Sequence, residues 1–156
     1  MINCVFEDNN KALLRHIVVD AIIIKDNKIL LAKRADHLVG GGKYCLPGGY
    51  LNRDETASEA VLREVKEETG YEGKIVKFLG VRDNPFRKGD NNQNITFLFL
   101  VKALEKVSEA DDESASVDWF ELDNLPAEEN IAFDHFELIK VYKKYKAGQD
   151  LPIFLK

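Results

Sequence analysis

Apolar residues fall along this chain in short runs that switch between a strand period and a helix period. Residues 16–25 (HIVVDAIIIK) are β-branched and almost continuously apolar, the pattern of a strand covered on both faces. Asp26-Asn27 is a two-residue turn signal, and residues 28–33 (KILLAK) read as the returning strand of a hairpin. A glycine-rich loop at residues 37–43 and a short strand at 44–47 lead to Gly48-Gly49. From Thr56 the period becomes helical: Thr56 and Glu59 fit a capping box, with Asp54 as an alternative N-cap, and Gly70 closes the helix. Beyond it, residues 74–82, 94–104 and 117–122 predict strands, the second of them central. Residues 134–147 predict a last helix, with Asp134 and Glu137 as its capping box and Gly148 as its stop. Its core positions are Phe136, Leu138, Ile139, Tyr142 and Tyr145. Residues 1–15 fit either an edge strand or a short helix, and no role attaches to them. Strands and two helices without βαβ regularity predict an α/β fold, a mixed sheet with helices on both faces.

The first helix divides into three faces at 100° per residue. Val61, Leu62 and Val65, with Ser58 and Thr69, form the core stripe, and Glu59, Arg63 and Lys66 a second side. Glu64, Glu67 and Glu68 share the third with Ala57 and Ala60. Residues i, i+3 and i+4 are neighbours on a helix, so three carboxylates there repel one another unless a cation sits between them. An acidic helix face is ordinarily a solvated one. Glu-to-Lys pairs at i,i+4 are scarce here, however, so the clustering points to a site. Oxygen-only ligands suit a hard divalent ion, Mg²⁺ or Mn²⁺, rather than zinc. Metal-assisted phosphate chemistry is the first expectation.

Composition narrows the rest. The chain has 156 residues, 45% hydrophobic and 31% charged, as expected of a single domain at 1–156 that buries its own core. A net charge of −5 argues against nucleic acid and anionic membranes as partners. Cys4 and Cys45 make no disulfide framework and lack metal-ligand spacing. With neither a secretory signal nor an apolar run of membrane length, the cytoplasm is the expected location. Gly40–Gly42 before Lys43 fails as a phosphate loop, because Tyr44 stands where Ser or Thr belongs and strand signals follow. It reads as a flexible loop beside the site, with His37 solvated or touching a ligand.

By spacing, the acidic stretch runs Gly49, five residues, Glu55, seven residues, Arg63-Glu64-Val65, one residue, Glu67-Glu68, one residue, Gly70-Tyr71. This resembles the Nudix box, and seven fixed residue types make a chance match on the order of one in a million. Tyr71 departs from the usual aliphatic residue, at a packing position. Leu46-Pro47-Gly48-Gly49 resembles the family's approach to the box, and Trp119-Phe120 with residues 123–126 (DNLP) a segment near its C-terminal end.

The resemblance implies a Nudix-type α/β/α sandwich that hydrolyses a nucleoside diphosphate linked to another moiety. Metal ligands would be Glu64, Glu67, Glu68 and the Gly48 carbonyl, for Mg²⁺ with Mn²⁺ as a substitute. Arg63 and Glu55 would orient those glutamates. Glu113 fits best as an added ligand or general base, with Asp111 and Asp112 as competitors. Arg34, Arg82 and Arg87 are expected at phosphate, Phe86 or Phe97 at a base. Pro85 lies near the distance from the box at which some ADP-ribose hydrolases carry a proline. The small-molecule substrate is then a nucleotide sugar such as ADP-ribose or a nucleoside triphosphate, an oxidised one included. A nucleotide-binding sensor without catalysis is the rival. Family members are often dimers, which makes a homodimer one expectation.

Overall fold

The computed structural model describes residues 2–87 and 93–155. Nine strands and two helices follow one another: β1 (Ile2–Val5), β2 (Lys11–Leu14), β3 (Ile17–Lys25), β4 (Lys28–Arg34), β5 (Tyr44–Cys45), β6 (Gly48–Tyr50), α1 (Ala57–Thr69), β7 (Tyr71–Arg82), β8 (Ile95–Lys106), β9 (Ser114–Glu121) and α2 (His135–Lys146). Part of the ambiguous N-terminus is a separate antiparallel hairpin of β1 and β2.

The main sheet runs β5-β4-β3-β8-β7, with β6 also paired to β3 and β9 to β4. It is mixed: β3 and β8 are parallel, and its other pairs antiparallel. Asp26 and Asn27 both take positive φ, which turns β3 tightly into β4. Alternation divides the core across the sheet. Ile22, Ile29, Leu31, Leu98 and Leu100 pack with Leu138, Ile139 and Tyr142 of α2. Val19, Ala21, Ile23, Leu30, Phe99 and Val101 pack with Ala60, Val61 and Val65 of α1. Burial on both faces is why β3 reads as continuously apolar. The sandwich is the expected one.

Three sequence expectations shift. Ser58 is exposed rather than in the core stripe of α1, and Ala60, placed among the acids, is fully buried. β7 and β9 start three residues earlier than the pattern predicts, at Tyr71 and Ser114. Asp134 does not cap α2. Its carboxylate binds Arg82 and Arg87 instead, and Glu137 pairs with Lys140. Two guanidiniums bind a carboxylate more strongly than a neutral N–H does.

Candidate active site

The geometry of the acidic face begins at the start of α1. The Thr56 side chain accepts from the Glu59 amide and Glu59 reaches back to the Thr56 amide, the expected capping box. Gly70 ends the helix at φ 74°, and its carbonyl accepts from Val107 and Ser108. The amide of Asp111 in turn bonds the Glu67 carbonyl at 2.9 Å, so residues 107–113 are docked on the C-terminal end of α1. Tyr71, where an aliphatic residue is usual, packs edge-on against Trp119 at 5.8 Å.

Arg63 organises the acids. Its Nε and Nη2 form a bidentate pair with Glu55 at 3.0 and 2.7 Å. Its Nη1 donates to Glu64 at 2.7 Å and to Glu67 at 2.9 Å, and Nη2 also reaches the Tyr50 carbonyl at 3.1 Å. On a helical wheel Arg63 belongs to another side, but its long stem carries the charge across to the acids. The hydrogen bonds from Arg63, with the Asn52 amide, hold Glu55 down at about 2.

Glu64 and Glu68 are different. Burial raises the pKa of both, the Arg63 guanidinium partly offsetting this at Glu64 and the Gly48 amide at Glu68, 3.0 Å away. Glu113 adds to the repulsion on each. The glycine pair allows this closeness, because a Cβ on Gly48 would overlap the Val19 carbonyl and one on Gly49 the Glu64 carboxylate. Among the described residues no three acidic, imidazole or thiol groups already converge as a metal cage. Glu64 and Glu67 share the Arg63 guanidinium, and Glu68 takes the Gly48 amide.

Glu64, Glu68 and Glu113 line one cavity of about 440 Å³, with Gly48, Gly49, Arg34 and Arg87. Of the three candidate acids before Trp119 only Glu113 lines the cavity; Asp111 Oδ1 accepts from the Glu113 amide at 3.1 Å, and Asp112 is exposed. Arg34 lies at the wall, its Nε on the Val39 carbonyl at 2.8 Å and its guanidinium 5.2 Å over the Phe133 ring. Arg87 reaches the cavity from the buried pair with Asp134, at 2.7 Å. Arg82 does not line it; its Nε is bound to Asp134 at 3.1 Å. Phe86 is exposed, Phe97 packs on Phe78, and His37 is exposed. Pro85 lies in a bend, and residues 88–92, Lys88 among them, lie outside the described residues. Burial pushes the Cys45 thiol up to about 12, which makes it inert.

Residues 14–142 match the NUDIX domain family model. The chain belongs to the Nudix family. An ADP-ribose pyrophosphatase of Methanocaldococcus jannaschii is 41% identical over 132 residues, 85% of this chain and 75% of that protein. A putative nudix hydrolase of Caenorhabditis elegans is 32% identical over 70% of this chain, which spans only 30% of it. The crystal structure of a NUDIX hydrolase from Nitrosomonas europaea superposes with a TM-score of 0.78 at 26% identity, covering 94% of this chain and 81% of that one. This Nudix chain is thus a hydrolase of phosphoric anhydrides.

The donor set fits a hard divalent cation. Glu64 and Glu68 supply oxygen only, both with raised pKa, and a cation would offset the cost of keeping them ionised. This gives a metal test without turnover. Folded carboxyls with raised pKa bind protons more tightly than unfolded ones, so metal-free stability falls as pH rises above the ordinary value of 4.5. Mg²⁺ needs those protons gone. Added Mg²⁺ should raise the stability by about 2.7 kcal/mol at a hundredfold excess over its Kd, and the melting midpoint with it, more at alkaline than at acid pH. A midpoint blind to Mg²⁺ at both ends of that range would remove the metal from this site.

Proposed function

We propose that this Nudix hydrolase cleaves the pyrophosphate of ADP-ribose in a Mg²⁺-dependent reaction, releasing AMP and ribose 5-phosphate. The observation that carries the reading is the cavity of about 440 Å³ that Glu64 and Glu68 of the box line together with Glu113. The 41% identity to an ADP-ribose pyrophosphatase supports the choice among Nudix substrates.

Glu64, Glu67, Glu68 and the Gly48 carbonyl would hold the ion. Held there, the ion would supply neutralisation of phosphate charge and a water made nucleophilic near neutral pH. Arg63, anchored on Glu55, keeps the Glu64 and Glu67 carboxylates in place and reaches the substrate only through them. As the water oxygen bonds to phosphorus, the bridging P–O bond breaks and its electron pair leaves with the departing phosphate. Glu113 takes the proton released by the water. Arg34 and Arg87 offset phosphate charge at the wall. Arg82 acts one step back, holding the Asp134 that pairs with Arg87.

Incubation with Mg²⁺ and a nucleotide panel tests this by its products. AMP with ribose 5-phosphate supports the reading. A nucleoside monophosphate with pyrophosphate moves the enzyme to triphosphates, oxidised ones included, and binding without any product makes it a sensor.

A further inference from the structure

The cavity floor holds two polar groups that the hydrolytic chemistry does not use. Asp20, in the middle of apolar β3, lines the cavity at 4% exposure, and its Oδ2 has no hydrogen-bond partner. Such an oxygen is costly to bury unless something arrives to use it. His135, the first residue of α2, lines the same floor, and its Nε2 is 3.8 Å from that Oδ2.

His135 has a fixed hydrogen-bonding sense, and Asp20, whose pKa burial raises to about 7, accepts through Oδ2 once it is ionised. His135 Nδ1 accepts from the Leu46 amide at 2.9 Å. Burial and the nearby Arg87 hold the ring neutral, with a pKa of about 3, so its single proton is on Nε2. On the other side, Arg87 Nη1 donates to Thr96 Oγ1 at 3.2 Å. An arginine only donates, so the Thr96 hydroxyl sends its own proton on to Asp20. Asp20 therefore turns one oxygen to Thr96 and leaves the other, buried beside His135 Nε2 in the cavity lining, without a partner. The floor presents an acceptor beside a donor.

Phe133 lines the same cavity. Phe133 adopts φ 57°, a left-handed conformation rare for an aromatic residue. Its ring lies 5.4 Å from that of His135 and beneath the Arg34 guanidinium.

We propose that Asp20 Oδ2 and His135 Nε2 together read the nucleoside part of the substrate, the carboxylate accepting from an N–H or O–H and the imidazole donating to the neighbouring atom. This rests on the nucleotide reading above and names the residues that would choose among nucleotides. A nucleobase edge and a ribose diol share this donor-beside-acceptor chemistry, and the test separates them.

Calorimetric binding of AMP, IMP and 2′-deoxy-AMP, with Mg²⁺ present and at a pH well above 7 so that Asp20 is ionised, needs no variant for its first result. Recognition at the N6–N7 edge, where adenine sets a donor beside an acceptor and hypoxanthine two acceptors, predicts that AMP binds about tenfold or more tightly than IMP. Diol recognition predicts a similar loss for 2′-deoxy-AMP and indifference to the base. Asp20→Asn sharpens the choice, because Thr96 holds the amide oxygen and turns the NH₂ to the cavity, so that an acceptor becomes a donor. At a base edge the AMP-to-IMP preference then shifts toward IMP, whose O6 and N7 accept side by side, by about tenfold. At a diol the hydroxyl rotates to suit, and the variant loses only a few-fold.

Equal affinity of wild type for all three nucleotides, with Asp20→Asn unchanged within about twofold, would leave a water-filled floor and overturn the inference. The same holds if ADP-ribose is cleaved yet none of the three binds. Failure of the parent reading is distinct: it shows as absence of ADP-ribose turnover by the wild-type enzyme.

Discussion

Glu68→Gln should abolish Mg²⁺-dependent turnover, by roughly 10³-fold, while raising the melting midpoint of the metal-free protein. Glutamine keeps the shape and an oxygen to accept the Gly48 amide, and removes only the charge. That charge is disfavoured where it stands: burial, Glu64, Glu113 and Asp111 all push the Glu68 pKa well above its ordinary value. The folded protein favours the protonated form, and glutamine imitates it permanently, so a gain of at least about 2 °C is expected. The two readouts move in opposite directions, which a purely structural role for Glu68 does not allow. Glu67→Gln should lose turnover to a similar extent with an unchanged midpoint, because the Glu67 side chain is 48% exposed. Near wild-type rates in either variant at saturating Mg²⁺ would remove the metal assignment. A fall in midpoint for Glu68→Gln with activity retained would make that carboxylate a structural group.

What could be read from the chain beforehand follows what is local. The capping box at Thr56, the stop at Gly70, the turn at Asp26-Asn27 and the spacing of the three glutamates are all encoded within a few residues. The division of apolar positions between two sheet faces follows from period alone, and so the sandwich was legible. Contacts between distant segments were not. Nothing near Asp134 announces that Arg82, 52 residues away, and Arg87, 47 residues away, will claim its carboxylate in place of a helix cap. The same rearrangement takes Arg82 out of the cavity and leaves Arg87 in it. His135 gives no local signal either, since its partner is the Leu46 amide across the fold. Asp20 is the instructive omission. A lone carboxylate inside a run as apolar as IVVDAIIIK is a signal in its own right, because burial without purpose is costly.

Asp134→Ala should cost about 3–5 kcal/mol of stability, the range for removing one partner of a buried ion pair. Asp134 holds Arg82 on one oxygen at 3.1 Å and Arg87 on the other at 2.7 Å, and all three residues are buried. Without the carboxylate two guanidiniums keep their desolvation cost and lose their shared counter-charge. Thr96 offers Arg87 only a neutral acceptor. For a domain of this size the loss corresponds to a drop in melting midpoint of roughly 6–20 °C. Asp134→Asn, of the same shape, should lose nearly as much, which separates the charge from the packing. The pH dependence gives an independent check. Burial alone would raise the Asp134 pKa, but Arg87, with His135 and Arg82, outweighs it and the net shift is downward. A carboxyl with a depressed folded pKa stabilises above its unfolded value, near 3.8, and loses that contribution as pH falls through the folded value. The gap between wild type and variant should therefore be full at neutral pH and narrow only on the acid limb. A gap below about 1 kcal/mol at neutral pH would mean that the arginines find other partners. Arg87 would then owe its place in the cavity to Thr96 and the loop that carries it rather than to Asp134.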